Sequence, residues 1–292
     1  MSQHIQPGSI VVAVDGSKHA DRALEWAVDQ AGREHRPLVV VTAEEGRAQR
    51  INAEATRRAA ELAPGLDVTG LTAASDPREV LVELSADAHL LVLGSRGRGT
   101  VRSMLLGSVS TAVSRLASCP VVVCRPPAAE SGRHGVLVGA DGTAASLPVI
   151  EFAFAHASLH ALPLTVVHCA WDVVAAVAGL RNVELADGDL GVGDDLHLLL
   201  AESVAGFGEK YPDVPVELRV MHGLVDDVLG GRTAAWDLVV VGRHPIDSVG
   251  RLVTGSIATA VVERAHTTVA VVPETREEVH RAGPPAHQGE GS

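Results

Sequence analysis

Apolar residues along this chain fall in short unbroken runs: Ile10-Val-Val-Ala-Val14, Leu38-Val-Val-Val41, Leu90-Leu-Val-Leu93 and Val121-Val-Val-Cys124. Runs apolar at every position, rich in β-branched residues and closed by glycine, proline or polar positions, predict strands buried on both faces. Between them lie longer stretches whose apolar residues recur at intervals of three and four, as amphipathic helices require. In the first part of the chain strands are predicted near 9–14, 38–42, 67–72, 90–93 and 120–124, and helices near 19–32, 47–63, 77–86 and 108–117. Asp76-Pro77-Arg78-Glu79 is a helix opening, with an N-cap carboxylate, proline in the first position and an acidic residue in the first turn. Buried strands alternating with helices of this length imply an α/β fold with a doubly wound parallel sheet and right-handed crossovers.

The pattern is written twice. Displaced by 126 positions, Ile10 to Ser17 falls on Val136 to Thr143, Glu25 on Glu151 and Pro37-Leu38 on Pro163-Leu164. Displaced by 148, Leu90 to Gly94 falls on Leu238 to Gly242, and Gly107-Ser108 on Gly255-Ser256. The second copy therefore carries about 22 extra residues between its second and third strands, around Trp171 to Leu200. Two similar five-stranded domains are expected, 1–127 and 134–273, joined by the turn-rich stretch Pro126 to Arg133. The segment 274–292 loses apolar periodicity and is expected to be a disordered tail.

Composition narrows the picture. With 46% hydrophobic residues and only 2% aromatics, the cores must be built from valine, leucine and alanine. Basic residues number 24 against 36 acidic, a net charge of −12 that argues against a nucleic acid or a membrane surface as partner. Cys119, Cys124 and Cys169 are odd in number and form no C-x2-C pair, so a reducing cytoplasm is the expected location. No export signal or run long enough to span a bilayer is read at the N-terminus or elsewhere.

Chemistry concentrates where the fourth strand hands over to its helix, in Gly94-Ser-Arg-Gly97-Arg98 to Gly107-Ser108-Val109. Glycine lets a backbone approach an anion closely, and the exposed N–H groups of a helix start carry about +0.5 of an elementary charge. Ser108 is expected to be the N-cap. The spacing, G-x2-G-x9-G-S, is neither the G-x4-G-K-[ST] loop nor the G-x-G-x2-G dinucleotide fingerprint. Asp15, Gly16 and Ser17 close the first strand, so topology puts both segments at strand carboxyl ends, beside one crevice. There Asp15 could accept hydrogen bonds from a ligand, hold a metal or cap the first helix. Arg96, Arg98 and Arg102 could neutralise phosphate or form a solvated basic face.

Gly94, Gly97, Gly107 and Ser108 at these intervals, with Val14-Asp15-Gly16-Ser17 at the first strand's end, resemble the ATP-binding members of the universal stress protein family. The resemblance covers nearly the whole chain, as a tandem pair. It implies an adenine-nucleotide α-hydrolase-like fold and ATP as ligand, with Mg2+ where a metal accompanies the phosphates. It also implies a pocket lined by Asp15 and a base contact near Ala43, at the end of the second strand. Any hydrolysis would be slow, in a protein that serves as a stress-response regulator. In the family the final strands pair antiparallel across a dimer, so either an internal pseudo-dimer of the two copies or a homodimer is expected.

The second copy keeps Asp141, Gly242, Gly255 and Ser256 but has Pro245 in the place of Gly97. Proline has no N–H for a phosphate and cannot adopt positive φ, so a degenerate second site is expected, unless Arg243 and Arg251 compensate. The 14 histidines are read as scattered, with no metal-ligating spacing, His244 alone drawing notice by its place in the second loop. No G-x-S-x-G, S-G-G-x-D-S or H-x-G-H motif supports a hydrolase or nucleotidyl transferase, and no general base stands out. A nucleotide-independent interaction scaffold is the remaining alternative.

Overall fold

The computed structural model describes residues 4–44, 46–98, 106–126, 135–170, 183–184, 192–231, 236–243 and 257–274. The first half runs β1 (Ile10–Ala13), α1 (Lys18–Glu34), β2 (Leu38–Ala43), α2 (Ala48–Leu62), β3 (Val68–Ala73), α3 (Pro77–Leu84), β4 (Leu90–Gly94), α4 (Ser108–Leu116) and β5 (Val121–Cys124). The second half repeats this order with β6 (Val136–Gly139), α5 (Leu147–His160), β7 (Leu164–Ala170), β8 (Val183–Glu184), α6 (Val192–Lys210) and β9 (Val216–His222). It closes with α7 (Val225–Gly230), β10 (Leu238–Arg243), α8 (Ile257–Arg264) and β11 (Val269–Pro273). Helix starts follow local chemistry: Ser17 accepts the Ala20 N–H, and Asp76 accepts the Arg78 N–H ahead of Pro77. The N-cap of α4 is Gly107, one position earlier than the sequence suggested, and Ser108 is the first helical residue.

The strands form one sheet in the order β3-β2-β1-β4-β5-β11-β10-β6-β7-β9-β8. Each half contributes five parallel strands; β8 is an additional antiparallel edge. The halves meet where β5 and β11 pair antiparallel, Val121 opposite Val271 and Val123 opposite Val269. The resemblance implied this seam, here closed within one chain. Alternate residues feed opposite faces: Ile10, Val12, Leu90 and Val92 pack under α1, α2 and α5, while Val11, Leu91 and Leu93 pack with α3, α4 and α8. Asn52, buried on α2, donates to the carbonyls of Val40 and Leu71 at 2.7 and 3.0 Å, reaching across β2 and β3. Gly70 leaves room for it, since a Cβ there would strike the Asn52 carboxamide.

Across the seam α1 faces α5. The ring of His156 lies between Trp26 and His160, with centroids 5.9 and 4.2 Å away, and His160 Nε2 meets Gln30 Oε1 at 3.0 Å. Arg33 reaches the carbonyl of Leu159. Two arginines reach across the seam on the other face. Arg125, after β5, donates to the carbonyls of Val262 and Glu263 at the end of α8. Arg243, at the end of β10, donates to the carbonyls of Arg115, at 2.8 Å, and Ala117, at the end of α4.

The expected tail and the stretch joining the domains fall mostly outside the described residues. No helix among the described residues is long and apolar enough to cross a membrane.

Candidate functional site

A cavity of about 380 Å³ opens at the carboxyl ends of β1, β2 and β4, inside the roughly 300–1,000 Å³ range of small-molecule sites. Topology explains its place, because β1 and β4 lie side by side while their following helices leave on opposite faces of the sheet. Asp15, Ala43, Gly94, Gly97, Gly107, Ser108 and Val109, seven of the residues expected from sequence, line it. Gly16, Ser17 and Arg98 are not among its lining residues, but the N–H groups of Ser17 and Arg98 bond the carboxylate of Asp15, which is. Arg102 lies outside the described residues. Sequence reasoning missed the apolar wall of Pro77, Leu81, Leu93 and Leu106. A usable signal was present, since in a doubly wound sheet the start of α3 faces the same crevice as the ends of β1 and β4.

Asp15 fastens the two loops together. Its Oδ1 accepts the Ser17 N–H at 2.9 Å, and its Oδ2 accepts the Arg98 N–H at 3.0 Å, so one carboxylate ties the β1–α1 turn to the glycine loop. Neither reading of Asp15 as ligand contact or as helix cap describes this brace; the cap is Ser17. Gly16 adopts φ +77°, a conformation that L side chains rarely take. Gly94 is needed for space: a Cβ there would lie 2.7 Å from the backbone of His19 on α1. Gly97 is also a matter of space, its Cβ falling 2.8 Å from Asp15 Oδ2. Positive φ plays no part at Gly97, and Gly107 has φ −75°, which corrects the expectation of a left-handed requirement in this loop. The loss of an N–H at Pro245 survives as an argument for asymmetry, while its φ component does not.

Gly107 is stitched into the loop by donating its N–H to Ser95 O at 2.9 Å, and Ser110 Oγ donates to Gly94 O at 2.7 Å. These bonds aim the first turn of α4, with its unpaired N–H groups, at the cavity. Arg98, expected beside phosphate, pairs through its side chain with Glu44, next to Ala43 on the opposite wall. His19 stands behind Gly94 with Nδ1 at 3.3 Å from Ser95 Oγ. Burial first, and then Arg22 and Arg96, hold its pKa below the usual histidine value. Arg96 lines the cavity itself, a positive charge within it.

The second copy is built differently at the corresponding place. Asp141 Oδ1 accepts both the N–H and the hydroxyl of Thr143, at 2.9 and 2.8 Å. The side chain of Leu199, on α6, sits where a Cβ of Gly142 would be, whereas Ile51 stays 3.7 Å from the same point at Gly16. Gly242 is covered by the carboxylate of Glu274. Arg243 is turned across the seam, which corrects the idea that it could compensate for Pro245. Gly255, Ser256, Pro245, His244 and Arg251 lie outside the described residues.

One histidine spacing escaped the sequence reading: His156 and His160 form an H-x3-H pair on α5. No group of three or more potential metal ligands occurs among the described residues. The cysteines are free, and burial lifts the thiols of Cys119 and Cys169 to about 12 and that of Cys124 higher still.

The family model "Universal stress protein family" matches residues 8–125 and 132–273. A universal stress protein of Mycobacterium tuberculosis is 34% identical over 93% of this chain and 99% of its own length. One from Mycolicibacterium smegmatis is 32% identical over the same shares. Among solved structures, a universal stress protein from Archaeoglobus fulgidus superposes with a TM-score of 0.62 at 20% identity, covering 92% of this chain and 99% of its own. The chain belongs to the universal stress protein family, with two such domains in tandem. Within that family, a universal stress protein solved in complex with cAMP is 31% identical over 41% of this chain and 97% of its own, with a TM-score of 0.36.

Proposed function

We propose that the N-terminal domain binds an adenine nucleotide, ATP, and that the protein acts as a nucleotide-responsive stress regulator without turnover. The carrying observation is the cavity's mixed lining. Gly94, Gly97, Gly107, the first turn of α4 and the charge of Arg96 suit phosphates. The apolar residues Ala43, Pro77, Leu81 and Leu106 suit a base or ribose. Gly97 keeps the Asp15 carboxylate in place on the wall, since a Cβ there would fall 2.8 Å from its Oδ2. If Mg2+ accompanies the phosphates, Asp15 is the carboxylate on the cavity wall able to meet it, and the metal would offset phosphate charge. Asp15 is a poor general base, because both of its oxygens already accept backbone N–H groups. Phosphoryl transfer needs a group that positions the attacking water, and among the described residues the lining supplies no histidine or second carboxylate for it.

The C-terminal domain is read as a structural partner with a degenerate site, on the strength of Leu199 over Gly142 and Glu274 over Gly242. Calorimetric titration of the intact chain should then give one ATP per chain. Photolabelling with azido-ATP should mark peptides between Asp15 and Val109. No binding, two equal sites, or label confined to the second half would overturn the assignment.

A further inference from the structure

We propose that Arg243, in the second domain, is a positioning residue for the nucleotide site of the first, holding α4 so that its N-terminal N–H groups face the phosphates. The proposal rests on the nucleotide reading above. α4 has nine residues, a length at which an isolated helix is marginal and depends on what anchors its ends. Its N-terminal end is fixed within the first domain, by Gly107 N–H to Ser95 O and Ser110 Oγ to Gly94 O. Its C-terminal carbonyls are taken by the guanidinium of Arg243, which reaches Arg115 O and Ala117 O together. A planar fork of donors can reach two carbonyls at once, and a cation at a helix C-terminus also complements the helix dipole.

Arg243 directly follows Gly242, the second copy's equivalent of Gly94. In an intact phosphate loop that segment would bend around its own domain's ligand; here its first side chain crosses the seam and serves the neighbour's helix. The backbone beside it is pinned as well, Glu274 N–H donating to Arg243 O at 3.1 Å. Arg125 makes the reciprocal bracket on α8. The arrangement gives the second domain a role in the first domain's binding that requires no second ligand.

The test uses the full chain and compares Arg243→Met with Arg243→Lys, titrating each with ATP and with adenosine. If Arg243 acts through the helix start, Arg243→Met loses about tenfold in ATP affinity and changes adenosine affinity less than about twofold. Lysine, which keeps the charge and reaches one carbonyl, recovers part of the loss. Hydrogen exchange without ligand should quicken in Arg243→Met at the bonded amides that anchor the start of α4, Gly107 N–H to Ser95 O and Thr111 N–H to Gly107 O, as well as at its last turn. Equal losses for ATP and adenosine, no loss for either, or unchanged exchange at Gly107 and Thr111 would overturn the proposal. Should the wild-type chain bind no ATP, the nucleotide reading falls, and the exchange at Gly107 and Thr111 alone decides whether Arg243 holds that end of α4. If Arg243→Met does not fold, Arg243→Lys carries the same comparison.

Discussion

Two glycines of the same loop should respond to alanine very unequally. At Gly97 the new methyl would lie 2.8 Å from Asp15 Oδ2, a separation that real Cβ atoms do not tolerate, so the carboxylate must swing away. Doing so breaks the 3.0 Å bond from Arg98 N–H and unties the glycine loop from the β1–α1 turn. A charge-assisted bond of this kind contributes about 1.5 to 3 kcal/mol when sheltered; the exposed setting reduces that to about 1 to 2 kcal/mol, or roughly five- to thirtyfold in affinity. At Gly107 the methyl would meet Arg96 Cα and Ser95 O at 3.5 Å, ordinary contact, with φ −75° that alanine adopts freely. What remains is the weaker N-cap preference of alanine, about 0.5 kcal/mol, or roughly twofold. Calorimetric titration with Mg-ATP measures both variants, and ligand-free melting separates binding from folding. The reasoning is refuted if Gly97→Ala binds like the wild type, or if Gly107→Ala loses as much as Gly97→Ala without loss of fold.

His156 should govern part of the acid limb of stability. Burial, and secondarily His160, hold its pKa at about 3 against an ordinary 6.5, with Glu34, Asp29 and Arg33 nearby on α1, and its Nδ1 has no hydrogen-bond partner. Between those values the unfolded chain takes up a proton that the folded chain refuses, so stability is complete above about 6.5 and falls by about 1 kcal/mol per pH unit below it. His156→Phe should flatten that limb in urea melts at pH 7, 5 and 4; an unchanged slope counts against the assignment. Asn52→Leu removes the donor that joins β2 and β3 and should cost about 2 kcal/mol, a fall of roughly 4 to 8 °C in melting temperature. A shift below about 1 °C would show the bridge to be idle.

The parts of the molecule legible in sequence are those fixed by local pattern. Val-rich runs such as Leu90 to Leu93 give strands because both faces of a parallel sheet are covered. Asp76-Pro77 gives a helix start because a cap is a contact within three residues. The meeting of Asp15 with the glycine loop followed from topology, since β1 and β4 end side by side. Contacts between distant segments were not legible: Asn52 with Gly70, Arg243 with α4, Leu199 with Gly142, and the engagement of both Asp15 oxygens. Nothing in the spacing of Gly97 distinguishes a need for positive φ from a need for space, and only the distance to Asp15 decides it. The H-x3-H pair His156 and His160 was visible in the chain and overlooked; the structure makes it a buried stack at the seam.

The pairing of β5 with β11 changes how the two halves answer to dilution. Were the domains separate chains, their union would follow concentration by mass action, and the bracket on α4 would loosen as the protein became scarce. Joined by the few residues between Cys124 and Val136, they meet at an effective concentration set by the tether, in the millimolar range for short connections. The seam and the arginines that cross it therefore persist at any cellular abundance. Under the proposed function, occupancy of the first domain's site would then follow the level of nucleotide independently of the level of the protein.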